Sequence, residues 1–303
     1  MMVFNGPAEV PEGFGLSAVT IGKFDGVHAG HRAVIAELLA DAHSAGLASV
    51  VVTFDRHPLA LLRPELCPET LVGVDQKLRL LGETGVDATL LLTFDEALAH
   101  LTPEEFVSIV LVERVHARSV LVGEDFRFGR GGKGDVATLE RLGREHGFTV
   151  RTVADVLVGD AGRVSSTRIR SLLADGDVAG AGELLGHVPT VRGVVVHGAK
   201  RGRELGFPTA NLSPDSDGLI PADGVYAGWF EVDGDVYPTA FEGVPQRQVE
   251  AYLLDQDIDL YGKVVDVRFV ERIRGMVAYE GIEPLILQMT DDVRHVREVL
   301  ARD

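Results

Sequence analysis

A single cysteine and a single tryptophan in 303 residues leave little material for thiol chemistry or aromatic cages. Cys67 alone cannot close an internal disulfide, and no Cys/His set has the spacing of a zinc site. Positive charge is also scarce: 29 Lys and Arg stand against 46 Asp and Glu, a net charge of −17. Such a surface repels a phosphate backbone, so duplex nucleic acid is not an expected partner, whereas a local basic pocket for a nucleotide remains compatible with it. Long apolar runs are missing. ASVVVTF and ATLLLTF are far shorter than a membrane span. The opening segment MMVFNGPAEVPEGFG has neither the basic nor the apolar part of a signal peptide, and the expected location is the cytoplasm.

What is present reads as a globular chain of two domains. Apolar residues make up 46% and charged residues 25%, and the length exceeds one average domain. In the first part, continuous apolar strand candidates (17–22, 48–54, 88–94, 119–123, 148–153) alternate with helix patterns. That alternation predicts a parallel sheet covered on both faces. Before the helix pattern at 103–116, Thr102, Pro103 and Glu105 form a capping-box signature. After about residue 186, strand-like runs follow one another with Gly, Asp and Pro between them, which predicts a small antiparallel barrel. A last helix would lay Leu285, Ile286, Met289, Val293, Val296 and Leu300 on that barrel. The expected domains are therefore 1–186 and 187–303.

The densest feature is IGKFDGVHAGHRAVI at 21–35. Gly22, Phe24, Asp25, Gly26 and Gly30 surround a strand-to-helix turn, and His28 and His31 stand at the helix start. Such a turn lets backbone amides approach phosphate in the favourable field of a helix N-terminus. It is neither a Walker loop nor the spaced-glycine dinucleotide fingerprint. At 164–173, VSSTRIRSLL offers the hydroxyls of Ser165, Ser166 and Thr167 at a second helix start, with the guanidinium groups of Arg168 and Arg170. Asp25 can hold its turn through backbone amides, and Asp55 can orient His57 or a magnesium-bound water.

GKFDGVHAGH resembles the nucleotidyltransferase signature of bacterial bifunctional riboflavin kinase/FMN adenylyltransferases, the FAD synthetases. VVTFDRHP (51–58), LVGEDFRFGRGGKGD (121–135) and VSSTRIRSLL resemble three further family motifs in the same order, with Arg56 where proline is usual. The resemblance implies a Rossmann-like α/β nucleotidyltransferase domain followed by a riboflavin-kinase-like β-barrel. It assigns His28 and His31 to phosphate chemistry, and it sets Asp125, Phe126 and Phe128 beside the flavin ring. VVHGAKRGRELGFPTANL (195–212) resembles the kinase signature. There Gly198, Lys200, Arg201 and Gly202 would cradle phosphates, and Thr209 and Asn211 would hold Mg²⁺. VEAYLLDQDIDLYGK (249–263) would carry the catalytic carboxylate, Glu250.

Two departures stand in the kinase half. Ala199 replaces a residue that is often polar, and the family's Gly-x-Asn-Pro-Thr-Phe segment before the glutamate is missing. A shortened strand in a closed barrel changes its pairing or exposes an edge. The expected activity is adenylyl transfer from ATP to FMN, with phosphorylation of riboflavin by ATP, using Mg²⁺, ATP and flavins. Three alternatives stay open: an adenylyltransferase with a degenerate kinase domain, a non-catalytic flavin- or nucleotide-binding protein, and adenylyl transfer to another phosphate such as pantetheine phosphate.

Overall fold

The computed structural model describes residues 1–154, 164–198, 206–244, 248–256 and 258–302. They form two compact units, one of residues 1–70 and 74–164, the other of residues 71–73 and 165 onward.

The first unit is built on β1 (Met2–Asn5), β2 (Ser17–Ile21), β3 (Ala48–Phe54), β4 (Ala88–Leu92), β5 (Ala117–Gly123) and β6 (Thr149–Val153). All pairings are parallel, in the order β1-β4-β3-β2-β5-β6. Every residue of β2 and β4 is buried, as expected where both faces of a parallel sheet are covered. The connecting helices are α1 (Ala29–Ala45), α2 (Leu59–Leu62), α3 (Val74–Glu83), α4 (Glu96–His100), α5 (Pro103–Phe106) and α6 (Val136–His146). Gly46 and Gly147 end α1 and α6 in left-handed conformations, with φ of 63° and 80°.

The capping box at Thr102 and Glu105 is formed in both directions, at 3.2 and 2.8 Å. Beyond it the helix does not stay regular. Residues Val107–Arg114 continue it as a π-helix, which widens the turn while Val107, Val110 and Leu111 stay in the core.

The second unit begins with two helices, α7 (Ser166–Asp175) and α8 (Val178–Leu185), each ended by a left-handed glycine. A closed barrel follows: β7 (Thr190–Val196), β8 (Ala210–Leu212), β9 (Gly224–Val232), β10 (Asp235–Val244), β11 (Gln248–Leu253) and β12 (Val264–Arg274). Their order around the barrel is β10-β11-β8-β7-β12-β9, and β9 pairs with β10 to close it. The compositional break near residue 186 and the packing break after Val164 bracket α7 and α8. These helices pack on each other, and α8 packs on β12.

The edge expected from the shortened kinase segment is not there. β10 and β11 pair antiparallel from Thr239 opposite Leu253 to Val244 opposite Gln248. The junction where YPTA meets FEGVPQRQ, between Ala240 and Phe241, lies within β10, whose pairing with β9 and β11 runs unbroken across it. The last helix, α9 (Ile282–Leu300), buries Val296, Val299 and Leu300 against the barrel, in a cluster with Ala227 and Leu254. Leu285, Met289 and Val293 line a cavity, and Val293 also packs on that cluster.

Candidate functional sites

In the first unit the turn after β2 is tightly constrained. Phe24, Gly26 and Val27 have φ of 49°, 81° and 41°. Left-handed backbone is unfavourable for a phenylalanine and more so for a β-branched valine, so the surroundings must over-determine this turn. Both side chains are buried, Phe24 at 3% and Val27 at 0% exposure. The Phe24 ring fills the space above Gly22, where a Cβ would come within 3.1 Å of it, and lies 5.0 Å from the His31 ring. Phe24 thus supports the site from beneath.

His28 caps α1: its Nδ1 accepts the His31 N–H at 3.3 Å. The two imidazoles stack at 3.6 Å with 13° between their planes. Gly30 permits this, because a Cβ there would sit 3.2 Å from the His28 ring. Burial, then the positive charges around it (His28, Lys23 and Lys77), hold the His31 imidazole well below its ordinary pKa. At neutral pH that ring is uncharged. Its Nδ1 is buried without a hydrogen bond among the described residues.

Lys77, on α3, gives no signal in the sequence, where DQKLRLLGE reads as an ordinary amphipathic helix. It is only 8% exposed, and its Nζ donates to the Phe54 carbonyl at 2.5 Å. Burial lowers its pKa against the opposing pull of Asp25 and then Asp55. Asp55 accepts the Phe94 N–H at 2.9 Å and pairs with Arg56 at 3.1 Å. Burial works to raise the Asp55 carboxyl, but the Phe94 and Arg56 hydrogen bonds outweigh it and keep it below the ordinary value. Nearby, His57 Nδ1 accepts the Leu59 N–H at 3.1 Å. A cation between two carboxylates therefore ties α3 to the end of β3.

On the stretch after β5, Phe126 and Phe128 stack at 5.4 Å, but they differ in exposure. Phe128 is 7% exposed, packs on Phe106, and lies so close to Gly134 that a Cβ there would be 2.7 Å from its ring. Phe126 is half-buried in front of it, and Asp125 is exposed. Of the pair, Phe126 is the ring with an accessible surface.

In the second unit, Ser165 caps α7 by accepting the Arg168 N–H at 3.3 Å. Thr167 and Arg168 are exposed, Ser166 and Arg170 half-buried, and Ile169 faces the core.

The barrel's candidates are placed by strand register. Glu250 on β11 stands directly opposite Asn211 on β8. Directly opposed residues share a face, and Gln248, two residues before Glu250, donates to Asn211 Oδ1 at 3.1 Å. Asn211 is 4% exposed, and its amide occupies the space where a Gly198 Cβ would be, 2.3 Å from Nδ2. Glu250 and Thr209 line one cavity with Phe207 and Tyr252, whose rings meet edge-on at 5.3 Å. Arg274 and Asp292 close one wall through a bidentate ion pair at 2.7–3.1 Å, which pins α9 to β12. Lys200, Arg201 and Gly202, with Ala199, lie outside the described residues.

Comparison with known proteins gives a family match over each of the two regions. The FAD synthetase family model matches residues 13–168 and the riboflavin kinase family model residues 185–300. The chain is 38% identical over 292 residues to the bifunctional riboflavin kinase/FMN adenylyltransferase of Escherichia coli K12, covering 92% of this chain and 91% of that one. The chain belongs to this family. The Bacillus subtilis member is 33% identical over 288 residues, covering 91% and 90% of the two chains. A solved structure described as a macrolide-efflux protein from Streptococcus pneumoniae is 31% identical and superimposes with a TM-score of 0.86 over 98% of each chain. In the present family member, no helix among the described residues is long and apolar enough to cross a membrane. The histidine turn lies in the first matched region and the Asn211–Glu250 pair in the second.

Proposed function

We propose that this chain makes FAD in two steps, in the cytoplasm where its nucleotide is supplied. In the barrel, the riboflavin 5′-hydroxyl oxygen attacks the γ-phosphorus of ATP, its proton passes to Glu250, and ADP leaves with FMN formed. In the adenylyltransferase, an FMN phosphate oxygen attacks the α-phosphorus of ATP, and pyrophosphate departs. No protein nucleophile is needed. The neutral His31 can donate one hydrogen bond to a phosphate oxygen, His28 orients it, and the α1 N-terminus adds a favourable field. Ser165, Ser166, Thr167, Arg168 and Arg170 are the further phosphate ligands this reading assigns, with Phe126 and Asp125 towards the flavin.

Thr209 and Asn211 fit Mg²⁺ by the chemistry of their donors, neutral oxygens of the kind the ion takes alongside phosphate oxygens. Thr209 shares the Glu250 cavity, and Asn211 is fixed opposite Glu250. When bound, the ion would neutralise charge on the nucleotide phosphates.

The observation that carries the kinase half is the register of Glu250 against Asn211 in a closed barrel, kept despite the missing segment. The test is a chromatographic product assay with Mg·ATP, run on riboflavin and on FMN. FAD from both substrates is the expected result. FAD from FMN alone would mean a degenerate kinase, and tight flavin binding with no product from either would mean a binding protein.

A further inference from the structure

We infer that Arg274 is a positioning residue for riboflavin, setting in place the cavity wall against which the flavin ring is held. This rests on the reading above, in which Glu250 takes the proton of the riboflavin 5′-hydroxyl.

The cavity that holds Glu250 is mostly apolar, with Val225, Ala240, Phe241, Leu285, Met289 and Val293 in its lining. A ligand whose hydroxyl meets Glu250 extends its flat, largely apolar body into this space. One side of the cavity is barrel, and strand pairing holds it. The other side is α9 together with Met276, Val277 and Tyr279, on the segment 275–281 that joins β12 to α9. That segment belongs to no strand or helix, and Met276 and Val277 are 44% and 55% exposed. Neither a ladder nor burial fixes it.

Arg274 supplies the hold. Its Nε and Nη2 donate to the Asp292 carboxylate on α9 at 2.7–3.1 Å, and its Nη1 donates to the Gly275 carbonyl at 3.0 Å. The same guanidinium lies 5.9 Å from the centre of the Tyr279 ring. One side chain thus ties the end of β12, the segment after it and α9 to one another. Asp292 is 4% exposed and also accepts Gln288 Nε2 at 3.0 Å, so the carboxylate is fixed from its own helix as well. An irregularity in the pairing of β12 with β9, between Arg272 and Arg274, precedes the clamp. Bulges of this kind re-aim side chains. Arg274 comes out opposite Val225, which lines the same cavity.

A buried ion pair is a weak source of stability, since two apolar residues of like size often serve as well or better. What this pair contributes is geometry. A wall held in place before the ligand arrives spares binding the cost of ordering its side chains. The reacting atoms are at the ribityl hydroxyl, so contacts to the ring are alike in the ground state and the transition state. Their loss therefore appears in the KM for riboflavin and not in kcat.

The experiment measures riboflavin phosphorylation by full-length wild type, Arg274→Met and the double variant Arg274→Met/Asp292→Asn. Riboflavin is varied first and then ATP, with thermal unfolding recorded in parallel. Arg274→Met leaves Asp292 as an uncompensated buried carboxylate and lowers stability as well. Asp292→Asn removes that charge and keeps Oδ1 for Gln288, so the double variant regains stability without regaining the clamp. The expected result is a riboflavin KM raised about tenfold in both variants, with kcat and the KM for ATP within about twofold of wild type. A riboflavin KM that tracks the unfolding temperature across the three proteins would make Arg274 merely structural and overturn the inference. An unchanged riboflavin KM, or a loss confined to kcat, overturns it too. Should Arg274→Met fail to fold, the double variant decides by the same criteria. Wild type that forms no FMN from riboflavin would overturn the functional reading and the inference with it, whereas the other results overturn the inference alone.

Discussion

The two units position their candidate phosphate-binding groups in different ways. In the parallel-sheet unit, His28 and His31 ride on one turn, and their placement comes from local backbone: positive φ at Phe24, Gly26 and Val27, a capping hydrogen bond, and a phenylalanine wedged beneath. In the barrel, Asn211 is distant in sequence from Gln248 and Glu250, and they meet only because β8 and β11 pair in one register. A turn can be built from one short sequence, whereas a ladder needs the whole barrel closed. The turn concentrates strain at the site; the ladder distributes the constraint over six strands.

The sharpest way to break this comparison is to disable each site by itself. Glu250→Gln is expected to lower riboflavin phosphorylation about 10²- to 10⁴-fold, the usual contribution of a general base, with FMN adenylylation unchanged. His31→Ala should do the reverse, lowering adenylylation about 10²- to 10³-fold. Rates of both half-reactions for both variants check it. If either substitution abolished both activities, the two sites would not be separate.

Glycine substitutions test the geometry that each mode of construction tolerates. Gly198→Ala puts a Cβ 2.3 Å from the buried Asn211 amide, so Asn211 must leave its place opposite Glu250. Gly30→Ala puts one 3.2 Å from the His28 ring, which a tilt of a few tenths of an ångström relieves. Kinase activity in Gly198→Ala should therefore fall about ten- to a hundredfold, and adenylylation in Gly30→Ala less than about tenfold. Equal losses would mean that the turn is as brittle as the ladder.

The same contrast governs how much the sequence reveals. The histidine turn, the capping box at Thr102 and Glu105, and strands β2 to β6 are local patterns, and each is visible in a short stretch of sequence. Strand β1 is not, because four residues at a sheet edge carry too little periodicity, and its partner β4 decides it. Phe126 and Phe128 look alike in the sequence, and only packing against Phe106 and Gly134 separates them. Lys77 reads as a solvent-facing lysine until α3 is docked beside Asp25 and Asp55. Arg272 and Arg274 sit two residues apart in one strand, yet they serve α7 and α9 respectively, a difference set by bulges that no local pattern announces. The missing Asn-Pro-Thr-Phe segment is visible, but that β10 stays paired across the junction is decided by its neighbours β9 and β11.

Lys77 offers a smaller perturbation. Lys77→Met keeps most of the stem, removes the donor to Phe54 O, and leaves Asp25 and Asp55 without their shared cation. Loss of one partner from a buried hydrogen bond costs about 1–3 kcal/mol. Adenylylation should fall about tenfold through the disturbed turn, with the kinase untouched, and rate measurements on both substrates would show it. Loss of stability without any change in adenylylation would reduce Lys77 to a structural residue.

The smallest expected effect is on the pH dependence of stability, and it concerns the turn. The folded His31 pKa lies well below 6.5, whereas an unfolded histidine titrates near that value. Below about pH 6.5 the unfolded chain takes up a proton that the folded chain refuses, so stability falls as pH drops until the folded value is passed. Above that window the contribution is constant. His31→Asn keeps a polar group of similar size without the titration, and its stability should fall less steeply with pH, by at most about 1.4 kcal/mol per pH unit. Urea unfolding from pH 7.5 to 5 would measure both slopes. Lys77→Met provides the internal control: it removes one of the charges that depress His31, though a lesser one than burial, so its slope should lie between those of wild type and His31→Asn. Equal slopes in all three would mean that the imidazole is not held neutral by its turn.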